Sequence, residues 1–228
     1  MTSLSLKQKI FNFNFIFDRT GVLFIEEIKT LVVSDLHFGK SMSVNRRGNL
    51  LPPYDYIETI QNLKNMISYY KPDQVISLGD NFHDNYSILN MEKEYINEIK
   101  QITQKKKFIW IIGNHDNNLI YKEKIGGNFL ENLFQDNLVF THIKRKNINT
   151  KNFELSGHYH PKTYLKINNS RYYYKCFVIG ENFCILPSFG FYTGGVDVKL
   201  SIFREIKNQN IQLIILGKRK IIQQKYQL

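Results

Sequence analysis

The segment Leu31-Val32-Val33-Ser34-Asp35-Leu36-His37 decides the fold, because a short apolar run ends directly in two side chains that can bind a metal ion. Short apolar runs rich in β-branched residues are typical of buried strands. The arrangement recurs in residues 75–78 before Gly79-Asp80, residues 108–112 before Gly113-Asn114-His115-Asp116, residues 138–141 before His142, and Ser156 before Gly157-His158-Tyr159-His160. Ligand sites in α/β sheets form at the carboxyl ends of strands, so these loops are predicted to converge on one point.

Two helices are predicted between these strands. Apolar residues at helical spacing indicate a helix over residues 55–70. Its apolar face would carry Ile57, Ile60, Leu63, Ile67 and Tyr70. A second helix is expected over residues 90–103, with Asn90 as its N-cap. After residue 152 the pattern changes to strands and turns, including residues 172–178, 183–186 and 211–216. We therefore expect an α/β protein with two packed sheets, helices outside them, and a single domain over residues 1–228.

Composition predicts a globular protein with a sizeable core. Hydrophobic residues make up 43% of the 228 residues and aromatic residues 14%, which excludes a disordered chain. The net charge of +11 favours a polyanionic partner. The chain is also rich in Lys, Asn, Ile and Tyr, a bias that coding preference alone produces, so charge by itself does not choose between the two explanations.

Cysteine usage and the N-terminal sequence predict a cytoplasmic protein. Cys176 and Cys184 lack the spacing of a metal-binding pair, and we expect buried free thiols in a reducing compartment. The first 20 residues lack the apolar stretch of a signal peptide. No apolar run approaches the roughly 20 residues of a membrane span, so no membrane partner is expected.

The polar residues at the strand ends share one chemistry. Carboxylate, imidazole and amide oxygen suit a divalent ion such as Mn²⁺, Fe²⁺ or Zn²⁺. Asp35 and His37 stand two residues apart, so on an extended segment they point the same way, and His158 and His160 repeat that spacing. Any one histidine could be an ordinary core or surface residue. Five of the 6 histidines lie at these strand ends, however, and together they predict a metal centre.

In this order, D-x-H, G-D, G-N-H-D, a lone His and G-H-x-H resemble the pattern of the calcineurin-like metallophosphoesterases, over residues 35 to 160. The resemblance implies a four-layer α/β/β/α sandwich and two-metal hydrolysis of phosphate esters. It implies one metal held by Asp35, His37, Asp80 and His160, and a second held by Asp80, Asn114, His142 and His158. Asp80 would bridge the two ions, which the lone pairs of its two oxygens allow.

The same resemblance gives His115 and Asp116 catalytic roles rather than roles as ligands. His115 would stabilise the transition state or protonate the leaving oxygen, and Asp116 would orient His115. Two cations about 3.5–4 Å apart can bind phosphate oxygens, lower the pKa of a bridging water, and stabilise the attacking and leaving oxygens in line.

A closer resemblance covers nearly the whole chain. Residues 34–40, 79–84, 157–161, 175–177 and 186–195 are similar to the ligase-associated DNA damage response endonucleases, also described as ICC-like phosphoesterases. This similarity implies a Mn²⁺-dependent phosphodiesterase or endonuclease with DNA as substrate and a link to DNA repair. It also implies functional association with a DNA ligase, an exonuclease and a helicase. The chain departs from the group after about residue 200.

Four residues near the metal-binding loops are weaker candidates for substrate contacts. Lys40, Arg46 and Arg47 follow the first loop and could hold phosphates, although a solvated surface loop explains them equally simply. His83 stands three residues after Asp80, where it could contact substrate or serve a structural role.

Three functions remain open at this point. The first is a phosphodiesterase or nuclease that acts on DNA. The second is a small-molecule phosphatase or nucleotidase that uses the same two metals. The third, a metal-site scaffold without turnover, would require a missing ligand or a missing His115, and the sequence lacks none of them.

Overall fold

The computed structural model describes residues 4–46, 48, 50–146, 149–200, 203 and 210–226. Within them, two mixed sheets pack face to face. The first sheet contains β1 (Ser5–Ile10), β2 (Phe13–Asp18), β3 (Leu23–Ile25), β4 (Thr30–Val33), β5 (Gln74–Leu78), β6 (Lys107–Ile111) and β7 (Asn128–Leu130), side by side in that order. Strands β4 to β7 run parallel and the others antiparallel.

Three α-helices accompany the first sheet in the described residues: α1 (Lys40–Asn45), α2 (Tyr54–Tyr70) and α3 (Lys93–Lys105), with a 3₁₀ turn at Lys122–Lys124. Ile60 and Leu63 of α2 and Ile99 and Ile102 of α3 pack on the outer face of this sheet, around the fully buried Trp110. Helices connect β4 to β5 and β5 to β6 as crossovers, so these strands run parallel. The carboxyl ends of β4, β5 and β6 therefore lie at one edge of the sheet.

The second sheet contains β8 (Leu133–Gln135), β9 (Leu138–Thr141), β10 (Phe153–Ser156), β11 (Pro161–Ile167), β12 (Ser170–Ile179), β13 (Phe183–Ile185), β14 (Val196–Asp197), β15 (Ile211–Leu216) and β16 (Ile221–Tyr226). Its order is β14-β11-β12-β13-β10-β9-β8, with β15 paired to β12 and β16 to β15. Strand β12 pairs with β11 through its first half and with β15 through its second half.

The main core lies between the sheets. Phe15 and Phe17 of the first sheet meet Phe153 and Phe177 of the second, with ring centroids 5.6 Å apart for Phe15 and Phe153 and 5.0 Å apart for Phe17 and Phe177. On the outer face of the second sheet, Val198 and Phe203 cover a further apolar cluster. The predicted α/β class with two packed sheets is confirmed, and the layers agree with a four-layer sandwich.

Two local predictions were wrong. Helix α3 begins at Lys93 after Glu92, not at Asn90, because the Asn90 side chain donates to the carbonyl of Tyr86 and Met91 is buried on the helix side of the sheet. Ile57 is 42% exposed, so it lies outside the apolar face of α2.

The prediction of buried free thiols at Cys176 and Cys184 is confirmed. Among the described helices, none is both long and apolar enough to cross a membrane.

Candidate metal centre

The loops that follow β4, β5, β9 and β10 bring the expected ligands together at one edge of the molecule. Three groups of side chains have ligand atoms within 4.8 Å of one another: Asp35, His37 and His160; Asp80, His142 and His158; and His37, Asp80 and His115. The most distant members of the three groups are 125, 78 and 78 positions apart in sequence, respectively. The predicted convergence of the strand ends is therefore a property of the fold.

Asp80 lies between the first two groups. Its Oδ2 atom is 3.8 Å from Nε2 of His37, and its Oδ1 atom is 3.3 Å from Nε2 of His142. On the first side, Oδ1 of Asp35 is 3.0 Å from Nε2 of His160. On the second side, Nδ1 of His158 is 3.2 Å from Nε2 of His142. One carboxylate thus faces two clusters of imidazole nitrogen, which is the arrangement that a bridging ligand requires.

Buried nitrogen atoms test whether these clusters fit cations. Both ring nitrogens of His37 are buried without a hydrogen-bond partner, and Nε2 of His160, although 3.0 Å from Oδ1 of Asp35, lacks the angle of a hydrogen bond. A buried polar atom without a partner costs about 1–3 kcal/mol, so such atoms are rare unless an ion or water satisfies them. Burial lowers the pKa of His37 to about 3, which keeps this imidazole neutral and able to coordinate. Carboxylate and neutral imidazole together fit divalent cations.

Hydrogen bonds fix the orientation of His142. Its Nδ1 atom lies 2.8 Å from the carbonyl oxygen of Leu78, so Nδ1 carries the hydrogen and Nε2 faces Asp80. Burial opposes charge on both groups, but their mutual hydrogen bond raises the pKa of His142 and holds the pKa of Asp80 well below its usual range. Asp80 is therefore an anion, and Nε2 of His142 is the ring nitrogen that a metal would bind once the proton shared with Asp80 has left.

Backbone donors hold the two carboxylates. The amide of His158 donates to both oxygens of Asp35, at 3.2 and 3.1 Å, and the hydroxyl of Ser34 donates to its Oδ2. The amide of His115 donates to Oδ1 of Asp80 at 3.0 Å. These contacts compensate the charges that burial would otherwise make unfavourable.

The backbone at this edge is strained. Positive φ angles occur at Asp35 (52°), His37 (47°), Asp80 (46°), His158 (68°) and His160 (44°). L-residues rarely adopt this region, and each instance costs on the order of 1–3 kcal/mol when the surrounding structure enforces it. Such clusters of strained residues are found at functional sites.

Close packing at the ligands explains Gly157, which the sequence places before His158. A Cβ atom at this position would overlap the Ser34 hydroxyl and lie 2.7 Å from Oδ2 of Asp35. Gly79 stands before Asp80 with φ +83°, and a Cβ there would overlap the ring of His142. Both glycines therefore allow the two sheets to bring their ligands into contact.

His115 and Asp116 are placed differently from the roles that the family resemblance implied. The Asp116 carboxylate accepts hydrogen bonds from the amides of Asn81, Phe82 and Gly113 and from Nδ2 of Asn81, at 2.8–3.1 Å, and burial raises its pKa. The Asp116 carboxylate thus links the loops that follow β5 and β6 through hydrogen bonds. The ring of His115 is instead oriented by the carbonyl oxygen of His83, 2.7 Å from Nδ1. The contacts of Asp116 join it to backbone amides and not to the His115 ring, so Asp116 would orient His115 only through the loop that carries it.

His115 and Asn114 lie on the open side of the centre. The side chain of His115 is 44% exposed, and its Nε2 atom is 3.9 Å from Oδ2 of Asp80. Asn114 is exposed and lines a surface hollow of about 290 Å³ together with His142 and Arg145. The ring of His83 stacks against that of His115, with centroids 5.6 Å apart. His83 thus lies beside the centre, as its position in the sequence predicted.

The basic candidates in the first loop are less suited to binding phosphate. Nη2 of Arg46 lies 2.6 Å from Oδ2 of Asp84, so its charge already has a carboxylate partner. Lys40 is half-buried, and burial lowers its pKa although Asp55 raises it. Arg47 lies outside the described residues.

Lys175 and the loop after β13 lie next to the site, and the sequence analysis assigned no role to either of them. Nζ of Lys175 donates to the carbonyl of Ser188 at 2.6 Å, and burial lowers its pKa to about 8. The amides of Phe189 and Gly190 donate to the carbonyls of Ser34 and Asp35, at 2.7 and 3.1 Å. The similarity of residues 186–195 to the endonuclease group was the one feature of the sequence that pointed to this loop, and it came without a role.

The packing of Gly157 leads to a testable expectation. Gly157→Ala should displace Asp35 and weaken divalent-ion binding by about ten- to hundred-fold, the range for changes beside a ligand. Gly194→Ala is the matched control, because a Cβ at Gly194 meets no atom within 4 Å. Isothermal titration of both variants with Mn²⁺ makes the comparison. Equal affinities would show that Gly157 does not support the metal site.

Comparisons with known proteins agree with this geometry. Residues 28–217 match the family model described as calcineurin-like phosphoesterase. No curated protein sequence matches significantly. The crystal structure of the nuclease MPE from Pseudomonas putida is similar in fold, with TM-score 0.78 and 20% identity, over 96% of this chain and 100% of that chain. Yfce, a phosphoesterase from E. coli, is less similar in fold, with TM-score 0.45 and 11% identity over 87% of this chain and 98% of that chain. Since the family model covers most of the chain, this protein belongs to the calcineurin-like phosphoesterases, metal-dependent hydrolases of phosphoric esters.

Proposed function

We propose that this phosphoesterase is a phosphodiesterase that cleaves DNA, with Mn²⁺ as its preferred ion. The observation that carries the proposal is the position of Asp80 between two ligand groups on an open edge of the molecule. Asn114 and His115 are exposed there, and His158 and His160 are half-buried. A diester has substituents on both sides of the phosphate, which an open edge accommodates better than a closed pocket.

The ligand roles follow from the two groups. Asp35, His37 and His160 would hold one cation, and His142, His158 and Asn114 the other, with Asp80 between them. When bound, two divalent cations polarise the phosphoryl oxygens and lower the pKa of the water that attacks phosphorus. The ligand set contains no thiolate, which favours Mn²⁺ among the mid-series ions.

His115 is proposed as the group that acts on the leaving oxygen. Because its Nδ1 atom donates to the carbonyl of His83, Nε2 carries a hydrogen only when the ring is protonated. In that form Nε2 can transfer a proton to the leaving alkoxide, and the positive ring stabilises the charge that develops on the phosphate oxygens. Asp116 would act indirectly, by holding the loop that carries His115.

The cellular context of this activity is also a proposal. The two free, buried cysteines are compatible with a reducing cytoplasm. A role in DNA repair beside a ligase, an exonuclease and a helicase is supported by the similarity of the sequence motifs alone. The net charge of +11 supports a polyanionic substrate.

Asp80→Asn tests the bridging role. An amide offers one oxygen where the carboxylate offers two and carries no charge, so we expect both ions to bind more weakly and turnover to fall more than for any other single ligand change. Elemental analysis after dialysis should find fewer than two ions per chain. Asp73→Asn is the control, since Asp73 is 72% exposed and belongs to none of the three ligand groups. Full occupancy with a normal rate would contradict bridging by Asp80.

His115→Ala separates catalysis from metal binding. We expect turnover to fall by about two to four orders of magnitude, the range for loss of a general acid or a charge stabiliser. Metal content should stay at the wild-type level. A stoichiometric loss of one ion would instead identify His115 as a ligand, which the group of His37, Asp80 and His115 would then explain.

A substrate comparison tests the proposed reaction. In Mn²⁺, a bis-aryl phosphate and DNA should be cleaved faster than an aryl monophosphate, and chelator should abolish all of these activities. Affinity for DNA should fall steeply with salt, because bound phosphates release counterions. Faster monoester hydrolysis with no cleavage of DNA at low salt would favour a small-molecule phosphatase or nucleotidase.

A further inference from the structure

A two-stranded hairpin leaves the metal centre directly after its last ligand. Strand β11 begins at Pro161, next to His160, and β12 returns antiparallel to it. In their register Lys162 pairs with Lys175, Tyr164 with Tyr173, and Lys166 with Arg171. Alternate residues of a strand share a face, so these three pairs form a ladder on one face of the hairpin.

This face continues the face of the second sheet that packs against the first sheet. Further along β12, Phe177 has the same parity as Tyr173 and packs between the two sheets. The opposite parity, with Leu165 and Tyr174, packs on the outer cluster of the second sheet. The ladder therefore continues the inner face of the second sheet past the edge of the first. Its near end is fixed by Lys175, which binds the loop that contacts Ser34 and Asp35.

Aromatic rings hold the cations of this face. The guanidinium of Arg171 lies 4.8 Å from the centroid of the Tyr164 ring, and Nζ of Lys162 lies 5.2 Å from that of Tyr173. Nζ of Lys199 lies 4.1 Å from the Tyr164 centroid and donates to the Tyr164 hydroxyl at 2.9 Å. Cation–π contacts position a charge without neutralising it.

Within the described part of the chain, the lysine and arginine side chains of the ladder form no ion pair. Arg46, in contrast, is paired with Asp84. Asp197, which adjoins Lys162 by register, accepts a hydrogen bond from the amide of Lys199. The face is thus basic and aromatic, and Tyr173 is 50% exposed.

We infer that this face, the hairpin track of Lys162, Tyr164, Lys166, Arg171 and Tyr173, binds a single polynucleotide strand that leads into the metal centre. The inference rests on the proposed function and deepens it. The track spans about 13 Å, since each residue of a strand rises about 3.3 Å. Each strand of a duplex advances about 3.4 Å per phosphate and an extended single strand advances further, so the track faces at most about four phosphates. Lysine and arginine meet the phosphates, and the exposed ring of Tyr173 stacks on an unpaired base.

Neighbouring tyrosines provide a matched test of stacking. Tyr172 and Tyr173 are each 50% exposed but point to opposite faces of the hairpin. Tyr173→Ala should weaken binding of labelled single-stranded DNA by about ten-fold, the size of a lost base–aromatic contact. Tyr172→Ala should not weaken it. Anisotropy measured in Ca²⁺ reports affinity, and duplex DNA should show no difference between the variants, because its bases are already paired. Equal losses for the two tyrosines would overturn stacking on the track.

Paired charge changes test the phosphate contacts. Lys166→Gln with Arg171→Gln should reduce the slope of log affinity against log salt by about 1.4, because each single-strand phosphate contact contributes about 0.7. Lys100→Gln with Lys105→Gln on α3 makes the same change in net charge at exposed positions away from the hairpin. A slope that falls equally in both pairs would assign the effect to net charge and overturn the track.

A small substrate separates this inference from the proposed function. The loss of DNA affinity in the hairpin variants should exceed any loss of bis-aryl phosphate turnover by about ten-fold. If wild-type protein cleaves DNA and the hairpin variants match their controls in DNA affinity and salt dependence, the hairpin does not bind the strand. The proposed function then stands. If wild-type protein cleaves the bis-aryl phosphate but binds no DNA, the track is wrong together with the choice of substrate. If it cleaves neither, the proposed function fails.

Discussion

Asp35 and Asp80 are carboxylates buried at the edge where two sheets meet, and the surrounding structure supplies hydrogen-bond donors to both. An isolated buried charge costs several kcal/mol, so it survives only with close compensation. Backbone amides of His115 and His158 and the ring of His142 supply part of it. The buried nitrogens of His37 and Nε2 of His160 lie near these carboxylates without forming hydrogen bonds, and divalent cations would complete the balance because they bind both anion and imidazole.

Holding these groups together requires unfavourable backbone conformations that the rest of the fold must offset. Five candidate ligands have positive φ, and their loops approach so closely that Gly79 and Gly157 have no room for a side chain. The compensation comes from the apolar core between the sheets and from buried hydrogen bonds such as those of Asp116. A rigid core can enforce local strain because its packing is dense and has few alternatives.

The sequence predicted from local patterns that the side chains at the strand ends converge, and the structure brings six of the seven candidate ligands together in this way. A strand followed at once by Asp or His places that side chain at a sheet edge, whichever strands are neighbours. Features set by contacts distant in sequence were not predicted. The orientation of His115 depends on a backbone carbonyl at His83, which no residue type reveals. Asn90 was a good N-cap by type, but its side chain binds Tyr86, and the exposure of Ile57 depends on where α3 and the sheet meet α2. Lys175 could be assigned only once the loop after β13 was seen to contact Asp35.

Two of the three ligand groups take members from both sheets: Asp35 and His37 from the first with His160 from the second, and Asp80 from the first with His142 and His158 from the second. Neither of these two groups exists until the sheets have docked, so ions would bind them tightly only after folding. By mass action, each site that is filled at 100 times its Kd adds about 2.7 kcal/mol to the free energy of unfolding. The lifetime of the folded chain in a cell would then depend on the supply of free metal, and scarcity of the ion would reduce the amount of enzyme as well as its turnover.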